Sequence, residues 1–564
     1  MRLRKLKGAA LLGVTSVVLA ACGGGSTSGG GTGLAANQTL SFPIDGDIGS
    51  FDPAEINAET DVVLYQNLFE GLLKLDNNLN IVPDIATDVP SDTNGGISSD
   101  GLTYTFHLVK NAKFSDGNPI TCKDAVYSWN RSAADTSAYG SDFDHVVGYD
   151  KVSAKGSTVK EMSGLTCSDD YTLVAKLISP WPVFLTEVAF QPAAVVIEKS
   201  AVDKDPTNWW GTPGEEISSG PFVLSARTPG QSLDFSANSN WWGSTKPTLK
   251  KIHIDIVKDM SSALVKYQQG GYDTIGFGGM NSDLNPDDVY AVKNDATKSK
   301  DLHEIPKTRS IWVAFDFKGA GAAKWGGLTG AGHDLRLALS LAVDRNQLAD
   351  LACSHSLICK PATGGLIAKG LKGYMGDNTD PTAKFDLATA KQLLKSADPT
   401  GAKLKGTVYV TDTNKAVYKN VAEQLISQWK TNLGIDVTEQ VVDHSAFIKQ
   451  YTSHSIPGPH REGWQADYDH PQDWFDNLFI CGASSNGSQF CDPQVDTLAK
   501  KADTEPLAQA IPDYQAAETQ LEKDAAFVPL VYTSGDILWH SYVQDIGANS
   551  FNDWYWLGIK IGSH

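Results

Sequence analysis

The stretch Lys251-Ile252-His253-Ile254-Asp255-Ile256-Val257 alternates polar and apolar side chains, and Ser261 to Gln269 follows it before the pair Gly270-Gly271. Alternation at period two turns one face of a strand toward a core and leaves the other toward water. The run after it reads as a helix that the two glycines end. Strand and helix in direct succession specify an α/β chain, with the two element types interleaved. Upstream, Thr103 to Leu108 alternates in the same way, and Gly117-Asn118-Pro119 leads into an amphipathic stretch around Ala125-Val126-Tyr127-Ser128-Trp129. Downstream, Thr308 to Phe317 reads as a strand. From His333 to Asp350, apolar residues including Leu335, Ala338, Leu341, Ala342 and Leu348 recur at helical spacing. Lys384 to Ala397, Tyr418 to Asn432 and Tyr514 to Asp524 read as further helices. No short-period repeat appears, so a solenoid or propeller is not expected.

With 564 residues the chain exceeds one small core and suggests several structural units. No segment beyond the N-terminus is long and apolar enough to span a bilayer. The formal net charge is −19, which argues against a nucleic-acid partner and against electrostatic docking on anionic lipid. At the N-terminus, Arg2, Arg4, Lys5 and Lys7 precede an apolar run from Ala9 to Val18 and then Leu19-Ala20-Ala21-Cys22. That is the grammar of a secretory signal. Leu-Ala-Ala-Cys also resembles the lipobox of bacterial lipoproteins. The resemblance implies a signal peptide over 1–21, lipid (palmitate) on Cys22 and an extracytoplasmic protein anchored to the cell membrane. A Gly/Ser/Thr-rich tract follows, giving a flexible tether over 22–36. The six other cysteines are Cys122, Cys167, Cys353, Cys359, Cys481 and Cys491. An even number in an exported chain reads as disulfides, with neighbour pairing the economical choice and the connectivity left open. The paired C-x-x-C spacings of zinc fingers are absent, and no metal is expected.

A series of short motifs runs in one order along the body: Gly49-Ser50-Phe51-Asp52-Pro53, Leu68-Phe69-Glu70-Gly71-Leu72, Asp100 to Leu108, Lys113 to Gly117, and Asp124 to Ser128. Ser219-Gly220-Pro221-Phe222, Asn240-Trp241-Trp242, Arg309 to Phe315, Asp334 to Leu339, Ala342-Val343-Asp344-Arg345 and Arg461 to Tyr468 follow. Collinear over roughly residues 40 to 560, they resemble the large extracytoplasmic solute-binding proteins of peptide-class ABC importers, the oligopeptide- and dipeptide-binding family. The resemblance implies an α/β fold: a two-lobed, periplasmic-binding-protein-like clamp with a hinge and an extra N-terminal subdomain. Laid on this chain, lobe one takes 37–80, 209–306 and 533–564, the extra subdomain 81–208, and lobe two 307–532. It further implies a monomer that is not an enzyme and needs no cofactor, with a peptide ligand, the permease subunits of an ABC importer and the lipid bilayer as partners. Several motif residues read as scaffold: a turn at Asp116-Gly117, a break at Gly220-Pro221, a helix cap at Asp334 and charge pairing at Asp344-Arg345.

A peptide of arbitrary sequence offers three constant features: its ammonium, its carboxylate and its backbone. A site for it needs one anion, one cation and a strand edge that the peptide extends. Asp467 holds the Asp position of the family's Gly-Trp-x-Ala-Asp-Tyr pattern and is the expected ammonium anchor, with Trp464 and Tyr468 as aromatic wall. Arg461 matches a cationic position expected to reach the ligand carboxylate, with a solvated surface residue as the alternative reading. His454 to His460, with Pro457 and Pro459, is expected to interrupt strand pairing just before it. Asp47 is a further cleft candidate. Some family members carry oligosaccharides or metal chelates, and the fourteen tryptophans suit sugar stacking as well as core packing. A sensory or adhesive lipoprotein shares the same sequence features. An exported hydrolase lacks support, since neither Gly-x-Ser-x-Gly nor His-Glu-x-x-His occurs.

Overall fold

The computed structural model describes residues 33–564 apart from 57–58, 135–138, 191–192, 278–283, 413–415, 548, 550 and 552–553. Cys22 and the signal before it therefore lie outside the described residues. The alternating stretch forms the strand Lys251–Ile256 and pairs in parallel with Thr39–Ile44 along its whole length. Ser232–Ala237 and then Phe222–Thr228 complete this four-stranded sheet. Ile252 and Ile254 are fully buried beside Leu40, Phe42 and Ile44, while His253 and Asp255 face outward and join Asp234 and Lys266 in ion pairs. Asp259 caps the next helix, Met260–Gln268, by accepting from the Ser261 and Ser262 amides, and Gly270 ends it at φ +77°. The end of the chain returns to this core, where the Trp554 and Trp556 rings meet Phe42 edge-on.

A second body carries the three-stranded sheet Thr103–His107, Thr172–Lys176 and Leu165–Asp169. The Cys122–Cys167 disulfide ties the helix Cys122–Ser132 to its edge strand. The largest sheet runs Thr274–Ile275, Val528–Trp539, Leu302–Ala314, His460–Gln465, Thr407–Asp412 and Val437–Val442. Its two longest strands, Leu302–Ala314 and Val528–Trp539, pair antiparallel, and their register shifts between Pro306 and Ser310 and again between Ile311 and Trp312. Ile311, Trp312 and Val313 enter the large core, whereas Ile537 packs among Phe42 and Trp554 in the other. These two strands thus cross from one lobe to the other. Among the described residues, no helix is long and apolar enough to cross a membrane.

Several expectations need correction. The helical run from His333 to Asp350 is two helices, Ala331–Leu341 and Arg345–Ala352. Asp344 breaks it by capping the second helix through the Asn346 and Gln347 amides. Asp344 thus serves first as a cap, and its charge also acts on Arg345. Arg345 is buried and donates to the Pro529 and Ala383 carbonyls, each at 2.7 Å. Asp334 lies inside its helix, whose N-cap is Gly330. The Tyr514 to Asp524 helix begins earlier, at Leu507, and holds Pro512 within it.

The six cysteines pair as neighbours: Cys122–Cys167, Cys353–Cys359 and Cys481–Cys491, with sequence separations of 45, 6 and 10. A cross-link stabilises chiefly by restricting the unfolded chain, more so for longer loops. Replacing both Cys122 and Cys167 by Ala is expected to cost about 4 kcal/mol, and the same change at Cys353 and Cys359 about 2 kcal/mol. Denaturant unfolding of the two double variants measures the difference, and equal losses would contradict the chain-entropy account.

Candidate functional site

The strand His460–Gln465 lies against Leu302–Ala314, with Gln465 opposite Arg309 and His460 opposite Ala314. The prolines before it do not displace Arg461 from a strand, because pairing begins at His460, just past Pro459. On its other side the strand registers with Thr407–Asp412 at one pair, Val410 with His460. Among the described pairings, Arg461 to Gln465 therefore has a partner strand on one edge only. Gly463 permits the close approach: a β-carbon there would stand 2.7 Å from the Ser310 carbonyl oxygen. Arg461 to Asp467 form one wall of a cavity of about 550 Å³. Val62, Val63, Tyr139, Phe190 and Phe551 face them from the other lobe and the second body, and Tyr418, His444, Phe447 and Tyr451 close the side.

Asp467 follows the end of this strand, half-buried on the cavity wall. Its amide donates to the Asp473 carboxylate at 2.9 Å, as does the Trp464 indole. Loss of water raises the Asp467 carboxyl to about 6, against the opposing influence of Arg309. Burial, reinforced by the Asp467 charge, raises both Asp473 and Asp142. One Asp142 carboxylate oxygen is enclosed with no hydrogen-bond partner. The Asp467 charge thus acts on one carboxyl from each of two bodies where water is scarce. Such a group favours a cation that brings N–H donors. Glu462 also lines the cavity; burial raises it to about 7, and it accepts the Tyr451 hydroxyl.

The structure brings Asp467, Trp464 and Arg461 into the cavity. It does not bring Tyr468 or Asp47 there. Tyr468 turns inward, where its hydroxyl donates to Gln472 and its ring joins the large core. Asp47 is an exposed turn residue whose carboxylate accepts from the Gly230 amide at 2.7 Å and from its neighbour Ile48. Arg461 is not a solvated side chain: it is 6% exposed, donates to Asp412 at 3.0 Å and lies over the Tyr418 and Phe447 rings. His444 meets the same fully buried Asp412 at 2.5 Å. Arg309, Tyr418, His444 and Asp142 escaped the sequence reading as site residues. Only Arg309 lay within a motif, and nothing there marked it as a cavity residue. Of the tryptophans Trp209, Trp210, Trp241, Trp242, Trp464, Trp474, Trp539, Trp554 and Trp556, Trp464 alone lines the cavity. Stacking of a sugar chain on a row of indoles finds no support in that distribution.

Residues 80–486 match the sequence profile of the bacterial extracellular solute-binding proteins, family 5 Middle. The chain is 28% identical over 532 residues to the periplasmic murein peptide-binding protein MppA of Escherichia coli (strain K12), covering 90% of each chain. It is 26% identical over 524 residues to the periplasmic oligopeptide-binding protein OppA of the same organism, covering 89% of this chain and 88% of that one. Its fold matches the unliganded open form of the murein tripeptide-binding protein MppA with a TM-score of 0.79 at 25% identity, covering 95% of this chain and 99% of that one. It also matches Haemophilus influenzae OppA in complex with RPPGFSPFR, with a TM-score of 0.70 at 22% identity over 94% and 100% of the two chains. The second likeness is one of fold. The α/β architecture is that of the two-lobed periplasmic binding proteins.

Gly463→Ala is expected to force the strand away from Ser310 and to destabilise the protein by about 1–3 kcal/mol, the usual cost of overpacking. Thermal or denaturant unfolding measures it. An unchanged midpoint would mean that the strand pair yields without cost.

Proposed function

The chain belongs to the bacterial extracellular solute-binding proteins of family 5, which are binding proteins rather than enzymes, and from that premise we propose that it captures peptides outside the cell membrane and delivers them to an ABC importer. One observation carries the peptide reading: a strand partnered on one edge only along Arg461 to Gln465 ends at a desolvated carboxylate, inside a cavity between lobes. The free edge adds the ligand backbone as a further strand. Asp467, desolvated on the cavity wall, takes the ligand ammonium as a charge partner. Trp464, Phe190 and Phe551 provide apolar wall without reading a particular side chain.

The clamp has lobe one at 37–80, 209–306 and 533–564, the extra subdomain at 81–208 and lobe two at 307–532. The crossing strands support a hinge close to residues 306 and 533, about which closure buries the ligand. Lipid on Cys22 and the tether to residue 36 hold the clamp near its permease as a monomer. Leu19-Ala20-Ala21-Cys22 and the glycine-rich tract support that anchoring.

Incubation with tri- to pentapeptides is expected to raise the melting temperature without turnover. Stabilisation by oligosaccharides alone, or cleavage of the peptide, would overturn the reading. Asp467→Ala is expected to weaken peptide binding by about 2–4 kcal/mol, as for truncation of one partner of a buried charge pair; calorimetry measures it, and unchanged affinity removes Asp467 from the site. The pH dependence has a definite sign. Free Asp467 takes up a proton near pH 6, whereas the ammonium complex requires the carboxylate. Affinity is therefore full above that pH and falls by up to about tenfold per unit below it. Titrations at pH 7.5 and 5 compare the two regimes, and tighter binding at pH 5 would exclude the assignment.

A further inference from the structure

Three basic side chains line the cavity, and two of them are already balanced: Arg461 and His444 share the buried carboxylate of Asp412. Arg309 differs. Its guanidinium donates to the Tyr418 hydroxyl and to the Gln465 side-chain oxygen, each at 3.2 Å, and both partners are neutral. Its Nε is enclosed with no partner. A guanidinium presents five donors in a fixed fork suited to a carboxylate, so two neutral bonds leave most of its donors without an anion, while its charge acts at longer range on Asp467.

Arg309 is registered opposite Gln465, and Asp467 comes two residues further along. Two residues of extended chain span about 7 Å. This cation and the proposed ammonium anchor thus lie within one or two ligand residues of each other. Resting on the peptide reading above, we infer that Arg309 is a specificity-determining residue, which selects peptides carrying a carboxylate one or two residues from their ammonium end. That carboxylate has two sources with the same chemistry: an acidic side chain at the second residue, or the C-terminus of a dipeptide.

Calorimetry on the full protein with two ligand pairs separates them. One pair is Ala-Glu-Ala-Ala amide against Ala-Gln-Ala-Ala amide; the other is Ala-Ala against Ala-Ala amide. The wild-type protein is expected to prefer the acid in at least one pair by roughly tenfold, the scale of a charge-assisted contact. Preference in the first pair identifies the side chain, and in the second the terminus. Arg309→Gln is expected to abolish the preference between the members of each pair, and Arg309→Lys to restore part of it. The wild-type comparison stands even if a variant fails to fold. Binding of both members of each pair with equal affinity overturns this inference alone, as does an Arg309→Gln protein that keeps the preference. Failure of all four ligands to bind the wild-type protein overturns the peptide reading itself.

Discussion

The backbone of Gly463 passes so close to Ser310 that no side chain fits between them, and the geometry of the cavity follows from that contact. It lies within the pairing of His460–Gln465 on Leu302–Ala314, which holds one register. The register sets Arg309 against Gln465, leaves the far edge of the strand toward the cavity and brings Asp467 to its end. Displacement of this pair by one residue would turn every alternate side chain to the opposite face. The anion, the cation and the open edge are thus products of a single strand alignment.

That alignment is itself carried by a strand shared between lobes. Leu302–Ala314 pairs on its other side with Val528–Trp539, and the two run out of one core and into the other. The shifts in register near Pro306 interrupt regular pairing in the stretch between the two cores, and a proline supplies no amide to the ladder. In the clamp proposed above, a hinge there moves the lobe bearing Val62, Val63 and Phe551 against the wall bearing Arg461 to Asp467.

Much of the fold was legible because local signals agreed with tertiary ones. The strand at 251–257 was found within one residue, since Ile252 and Ile254 face a core while His253 and Asp255 do not. Neighbouring cysteines paired. The sequence reading failed where a local rule was outvoted. Leu302 to Pro306 does not alternate cleanly, because that half of the strand serves as a crossover instead of covering one core. The His333 to Asp350 run kept helical spacing through Asp344, whose side chain nonetheless found a better use as a cap. In the site, Asp467, Trp464 and Arg461 were legible through a compact motif. Tyr468, in the same motif, lay on the inward side of the turn after the strand. Asp142 and Arg309 are distant in sequence and meet Asp467 only through packing and register, which no local pattern encodes.

The account stands or falls on the desolvated Asp467 carboxylate as the partner of a ligand ammonium. Calorimetry of one tetrapeptide and its N-acetylated counterpart tests this directly, since acetylation removes the charge and leaves the backbone and side chains. The free-amine peptide is expected to bind at least about a hundredfold more tightly, the scale of leaving a buried charge unpaired. Equal affinity of the two would contradict it.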